Sequence, residues 1–224
     1  MYRLLNGRVL ELVDNRDSKS RDRKVVRVRL PPRPLVNYGK KKVLAYIVGI
    51  ALGDGNISNP NGRAIRLRVT CDTKYPKLKN EIVKNLQVLL PANKVSTIHR
   101  KESYCDVSVY SNKFTQWLPW KSGNGSKVSQ NARVPRWILR RPVFIRECLR
   151  GLLQTDGSIY QDRGYLMVNF TNRIPALAND VFSMIQRLGF SPTFHKLNVG
   201  RVKYTVRLAR DTGRFVRYLQ FSKD

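Results

Sequence analysis

The sequence is short of cysteine, acid and histidine, and has no long apolar run. Its three cysteines, Cys71, Cys105 and Cys148, are odd in number, far apart and without a Cys-x-x-Cys. That pattern excludes a disulfide framework and a cysteine zinc site, and points to a reducing compartment. The two histidines, His99 and His195, stand too far from any Cys or Glu pattern to read as metal ligands. No apolar stretch approaches the roughly 20 residues that cross a bilayer. The first 13 residues lack the small-residue cleavage site of a signal peptide. An intracellular location is therefore expected: cytoplasm or nucleoid, or an organelle in a eukaryotic host.

Acids number 15 against 43 Lys and Arg, which leaves a net charge of +28. Such a charge repels itself unless a polyanion is nearby. Nucleic acid is the natural partner, with a membrane surface second. The 224 residues are 42% hydrophobic, enough for one large domain or two small ones with real cores.

Two stretches dominate the rest. Residues 44–57 read Leu-Ala-Tyr-Ile-Val-Gly-Ile-Ala-Leu-Gly-Asp-Gly-Asn-Ile, and residues 148–159 read Cys-Leu-Arg-Gly-Leu-Leu-Gln-Thr-Asp-Gly-Ser-Ile. Each is an apolar run with a Gly five residues before an Asp-Gly. Gly49 and Gly151 are 102 positions apart, as are Asp54 and Asp156. The runs predict helices over about 41–52 and 143–155. Ala45, Gly49 and Gly53 fall on one stripe of the first, and Gly151 takes the matching place on the second, so the two backbones can approach closely. A helix-packing role accounts for the glycines but not for the acid that ends both helices.

The order of elements repeats as well. After the first motif, residues 63–70 alternate Ile65, Leu67 and Val69 with Arg66, Arg68 and Thr70, a strand with one apolar and one basic face. A partner strand over 56–58, a helix over 76–90, a hairpin over 95–100 and 104–110 and a short helix over 114–120 follow. The second half predicts strand residues 165–170, a helix over 175–188, a hairpin over 193–196 and 202–208 and a helix over 215–219. Each half is thus α-β-β-α-β-β-α. We divide the chain into a basic N-terminal extension (1–40), with a strand over 24–30, a first half (41–120), a Gly/Ser/Asn-rich linker (121–142) and a second half (143–224). The fold class is α+β, with two pseudo-symmetric halves joined through the motif helices.

Gly49-Ile-Ala-Leu-Gly-Asp-Gly55 and Gly151-Leu-Leu-Gln-Thr-Asp-Gly157 resemble the two copies of the LAGLIDADG motif, and residues 41–220 resemble the single-chain, double-motif homing endonucleases. The resemblance implies paired motif helices beneath a saddle of two antiparallel sheets over duplex DNA. It implies that Asp54 and Asp156, with Gly53 and Thr155 just before them, hold divalent metal. It also implies cleavage of both strands of a long asymmetric target, leaving short 3′ overhangs. An earlier motif acid is replaced by Ala51 and Gln154, a position that varies widely in the family. Mg²⁺ is the implied ion, with Mn²⁺ substituting and Ca²⁺ supporting binding without cleavage. The chemistry agrees: phosphodiester hydrolysis needs an activated water and charge relief on the leaving oxygen, and a hard cation on carboxylates supplies both. For either acid alone, a turn-forming Asp before Gly is the plainer reading.

Family members place a basic residue or Gln after the second strand of each half, which here puts Lys74 and Arg173 among the catalytic candidates; a phosphate contact is an equal reading. Base-reading candidates are the residues alternating with core positions: Arg66, Arg68, Thr70, Thr97, His99, Tyr165, Asn169, His195, Lys203 and Arg207. For any one of them a phosphate contact is the plainer role. Double-stranded DNA is the expected partner of a monomeric enzyme. The rival readings are a maturase that binds intron RNA and a nuclease-dead DNA-binding regulator, the latter opposed by two intact acids. An intein is not expected, because the sequence lacks an N-terminal Cys or Ser and a C-terminal His-Asn.

Overall fold

The computed structural model describes residues 3–5, 8–10, 38–100, 103–198 and 200–220. The chain divides into two compact units, Met1–Val36 and Asn37–Asp224. In the first, β1 (Arg3–Leu5) and β2 (Arg8–Leu10) pair antiparallel, with Arg3 opposite Leu10. The strand expected over 24–30 lies outside the described residues.

The second unit repeats one order of elements. The first half is α1 (Tyr38–Gly53), β3 (Gly55–Ser58), β4 (Arg66–Asp72), α2 (Pro76–Leu89), β5 (Ser96–His99), β6 (Tyr104–Tyr110) and α3 (Phe114–Trp117). A single turn of helix, α4 (Arg136–Leu139), precedes the second. That half is α5 (Pro142–Asp156), β7 (Gly157–Asp162), β8 (Tyr165–Asn172), α6 (Pro175–Arg187), β9 (Thr193–Leu197), β10 (Lys203–Leu208) and α7 (Thr212–Leu219). The sheets run β3-β4-β6-β5 and β7-β8-β10-β9, antiparallel throughout.

The core explains the sequence pattern. Every residue from Ala45 to Leu52 of α1 is buried, so this helix shows no polar face. It lies along α5 at a distance only glycine allows. A Cβ on Gly151 would meet the Tyr46 carbonyl oxygen at 2.5 Å and the Ile50 nitrogen at 2.8 Å. One on Gly49 would run into the Cys148 carbonyl. Ala45, one turn earlier on the same stripe, is fully buried. Each sheet packs its apolar face on a helix: Leu67, Val69, Val107 and Val109 above Leu78, Ile82 and Leu86 of α2, and Val168, Phe170, Val206 and Leu208 above Leu177, Val181 and Met184 of α6.

The halves differ in their first hairpin. Between β7 and β8 only Arg163 (φ +50°) and Gly164 (φ +84°) intervene, whereas residues 59–65 separate β3 from β4. Two successive residues at positive φ make the tight turn that matches strand twist. The residues between the halves carry hydrogen bonds of their own. Gln130 accepts from the Lys121 backbone nitrogen (2.9 Å) and donates to the carbonyls of Lys121 (2.9 Å) and Gly125 (3.1 Å), which closes the segment into a loop. Beyond it, the buried Asp180 carboxylate on α6 accepts from Val134 N (2.8 Å) and pairs with Arg133 (2.7 Å).

Candidate functional site

Both motif acids stand where a helix hands over to a strand. Asp54 directly follows α1, its backbone N–H still bonded to the Ile50 carbonyl at 3.1 Å, and its side chain is exposed. Asp156 is the last residue of α5, half-buried, and accepts from Asn172 Nδ2 at 2.7 Å. The glycine after each acid has a steric reason. The strand turns back over the last helical turn so closely that a Cβ on Gly55 would lie 2.5 Å from Ala51 Cα, and one on Gly157 2.7 Å from Leu153 Cα. The helix ends touch each other too, since a Cβ on Gly53 would lie 2.6 Å from Thr155 Cβ.

The cation beside these acids is Lys127, from the closed loop between the halves. Its ammonium donates to the carbonyls of Ala51 (3.2 Å), Leu52 (2.8 Å) and Gly53. These are carbonyls left open at the end of α1, where the helix dipole is negative. Burial lowers the Lys127 pKa, while Asp156 and Asp54 act in the opposite direction. The ammonium also lies over the Trp120 ring, 5.6 Å from its centroid. Sequence reading missed Lys127 because its loop has no periodicity. One signal was available: the last turn of α1 carries no basic residue, so its carbonyls need a cation from elsewhere.

The other candidates fall as follows. Lys74 and Arg173 are exposed in the turns after β4 and β8. In those turns it is the neighbouring Asx residues that are built in. Asp72 Oδ1 accepts from Lys74 N and Asn172 Oδ1 from Ile174 N, both at 2.9 Å. Asn172 also donates to Asp156. The Gly53 carbonyl, expected to face metal, accepts from Lys127, and the Thr155 hydroxyl donates to the Leu152 and Gly151 carbonyls (2.9 and 3.1 Å). Gln154, in the place of an earlier motif acid, donates to Glu81 of α2 (3.2 Å), which also pairs with Arg150; the Arg150 guanidinium lies 4.2 Å over Tyr46. Asp54, Thr70, Asp72, Tyr75, Gln154 and Thr155 line one cleft beside the first motif.

Cross-strand register sorts the base-reading candidates. Arg66, Arg68 and Thr70 share the sheet face that does not pack on α2, opposite Tyr110, Ser108 and Asp106. In the second half Tyr165, Asn169, His195, Lys203 and Arg207 share the corresponding face. There Arg207 Nε donates to Asn169 Oδ1 (3.2 Å), and Asn169 Nδ2 to the Tyr160 hydroxyl (2.8 Å). Thr97 and His99 do not belong to this set. They pair with Val107 and Cys105 and so lie on the core-side face, while Ser96 and Ile98 take the other. The position matching His195, which lies opposite Thr205, is Ile98, opposite Asp106.

A family model described as LAGLIDADG-like domain matches residues 143–220. Among solved structures, the homing endonuclease I-DmoI in complex with DNA and Mn superposes with a TM-score of 0.62 at 19% identity, covering 82% of this chain and 98% of that one. Full-length DUF199/WhiA from Thermatoga maritima superposes at 0.58 with 13% identity, covering 82% of this chain and 56% of that one. At these identities the likeness shows the fold. Among curated proteins, the tRNA-splicing ligase RtcB of Pyrococcus furiosus is 27% identical over 188 residues, 74% of this chain and 19% of the ligase. A DNA polymerase of Thermococcus sp. is 26% identical over 153 residues, 65% of this chain and 8% of the polymerase. The chain thus spans a fifth or less of these two relatives.

Proposed function

We propose that this chain, which has the two-halved LAGLIDADG fold of I-DmoI, is a site-specific endonuclease that cuts both strands of a long asymmetric DNA duplex by metal-assisted hydrolysis. The observation that carries the reading is the meeting of the Asp54 and Asp156 helix ends, packed through glycine, with Lys127 close by. Both motif helices come from one chain, so a monomer holds the complete site. One module matching small fractions of a ligase and a polymerase is what a mobile, inserted element would leave behind.

The donor set fits a hard divalent ion. It is all oxygen, and among the described residues no group of three or more His, Cys, Asp or Glu forms a closed metal cage. Mg²⁺ suits such a site because it keeps several waters and takes one or two carboxylates together with substrate phosphates. When bound, the ion lowers the pKa of the attacking water and offsets charge on the scissile phosphate. Lys127 brings its ammonium to the end of α1, beside Asp54 and Asp156. Asn172 fixes the orientation of Asp156. Mn²⁺ replaces Mg²⁺, and Ca²⁺ supports binding alone.

Incubation of the full chain with Mg²⁺ and a randomised duplex library, followed by end sequencing, should give paired nicks with 3′ overhangs at one preferred sequence. Asp54→Asn and Asp156→Asn should each lower cleavage by about 100-fold or more while duplex binding in Ca²⁺ persists. Cleavage at the wild-type rate by both variants refutes the metal assignment. Absence of cleavage together with tight binding to intron RNA replaces the endonuclease by a maturase.

A further inference from the structure

The DNA-facing sheet of the first half contains an acid, which is unexpected in a chain of net charge +28. Asp106 sits in the inner strand β6, its side chain 6% exposed. Its oxygens accept three hydrogen bonds. Oδ1 accepts from the Thr70 hydroxyl across the strand at 2.9 Å. Oδ2 accepts from both Nε (3.1 Å) and Nη2 (2.8 Å) of Arg100, whose side chain is 46% exposed. With its side chain only 6% exposed, Asp106 is poorly placed to read a base itself.

What it does is hold Arg100. A guanidinium carries five N–H groups in a rigid plane. Asp106 takes two along the Nε–Nη2 edge and leaves one N–H on Nη2 and two on Nη1. The outer end of the fork is therefore fixed in direction and free to donate twice. Two parallel donors on an exposed arginine match O6 and N7 of guanine in the major groove. The second half lacks this device. At the place of Thr70 and Asp106 stand Thr171 and Thr205, their hydroxyls 3.1 Å apart, with His195 beside Thr205 in place of Ile98. A hydroxyl satisfies the sheet at this position, so packing alone does not require the acid.

We infer that Arg100, aimed by Asp106 and Thr70, reads a guanine in the half-site beneath the first sheet, and that the second sheet has no equivalent reader. Asp106 acts as the positioning residue and Arg100 as the specificity determinant. The inference rests on the reading of this face as a DNA interface.

The test is binding selection from a randomised duplex library in Ca²⁺ with the full-length wild type, Arg100→Ala and Asp106→Asn. The wild type should enrich one guanine in one half-site. Replacing it by another base, or by 7-deazaguanine, should weaken binding by about 10-fold or more. Arg100→Ala should lose that preference and leave the rest of the profile intact, which also shows that the protein is folded. Asp106→Asn should blur the same position only. The steepness of the salt dependence should change little, since a base contact releases no counterion. The inference is overturned if Arg100→Ala keeps the wild-type profile, or if it weakens all sequences equally and lowers the salt slope by about one, as a phosphate contact would. Should the wild type enrich no duplex sequence, the endonuclease reading fails first, and that result is distinct from loss of a single position.

Discussion

Gly151→Ala tests whether the approach of α1 and α5 holds the site together. The added Cβ would meet the Tyr46 carbonyl oxygen at 2.5 Å and the Ile50 nitrogen at 2.8 Å, both backbone atoms that cannot swing aside. Ordinary contact lies near about 3.5 Å, so the helices must part by about 1 Å. A gap of that size forfeits up to about half of the dispersion energy of each atom pair along the interface. Overpacking alone costs about 1–3 kcal/mol, and with the loosened neighbours we expect about 3 kcal/mol. For a domain of this size, about 2–4 °C of melting temperature goes with each kcal/mol, so Tm should fall by about 6–12 °C. The same parting separates Asp54 from Asp156, and cleavage should fall more than duplex binding. Calorimetry gives the first number and single-turnover cleavage with a filter-binding control gives the second. Gly213→Ala is the internal control. Its Cβ would meet only Arg217 Nη1 at 3.6 Å in α7, and it should be neutral or gain up to about 1 kcal/mol. A wild-type Tm for Gly151→Ala would refute the close-packing argument.

Two further outcomes follow from the charged groups. Lys127→Met removes the cation from the end of α1 and leaves its carbonyls open. Stability should fall by about 1.5–3 kcal/mol, and cleavage should drop at least about 10-fold; full activity in a folded variant would remove Lys127 from the site. Asp106 governs part of the acid limb of stability. Burial raises its pKa, but the bonds from Arg100 and Thr70, with the nearby Arg68 charge, outweigh that and hold it below the ordinary aspartate range. Its contribution is therefore complete above that range and is lost as pH falls through the depressed value. A chemical-denaturation series across that window should show a shallower loss for Asp106→Asn than for wild type.

Much of the architecture was legible in the residues because it is local. Period-two alternation in β4, β8 and β10 gives both the strand and the face of each side chain, and these placements agree with the register. The edge strand β5 is the exception. Its Ser-Thr-Ile-His is exposed or half-exposed on both faces, so no apolar residue marks the inner side. A one-residue slip in the reading then exchanged Thr97 and His99 for Ser96 and Ile98. The internal order of the segment over 121–142 is not legible for a related reason. Its order comes from Gln130 closing a loop on backbone atoms and from Asp180 of α6, and such bonds leave no period in the sequence.

The sequence alone determined the duplicated order of elements, the two acids that end the apolar helices, and a charge that requires a polyanion. Each is a property of residue type and near-neighbour spacing. Tertiary structure alone decided which cation stands beside those acids and which arginine is aimed from the sheet. Lys127 reaches a helix end more than 70 residues away, and Arg100 is held by an acid of the neighbouring strand β6. Contacts of that kind depend on where closed loops and antiparallel registers bring the chain back upon itself, and residue order does not display them.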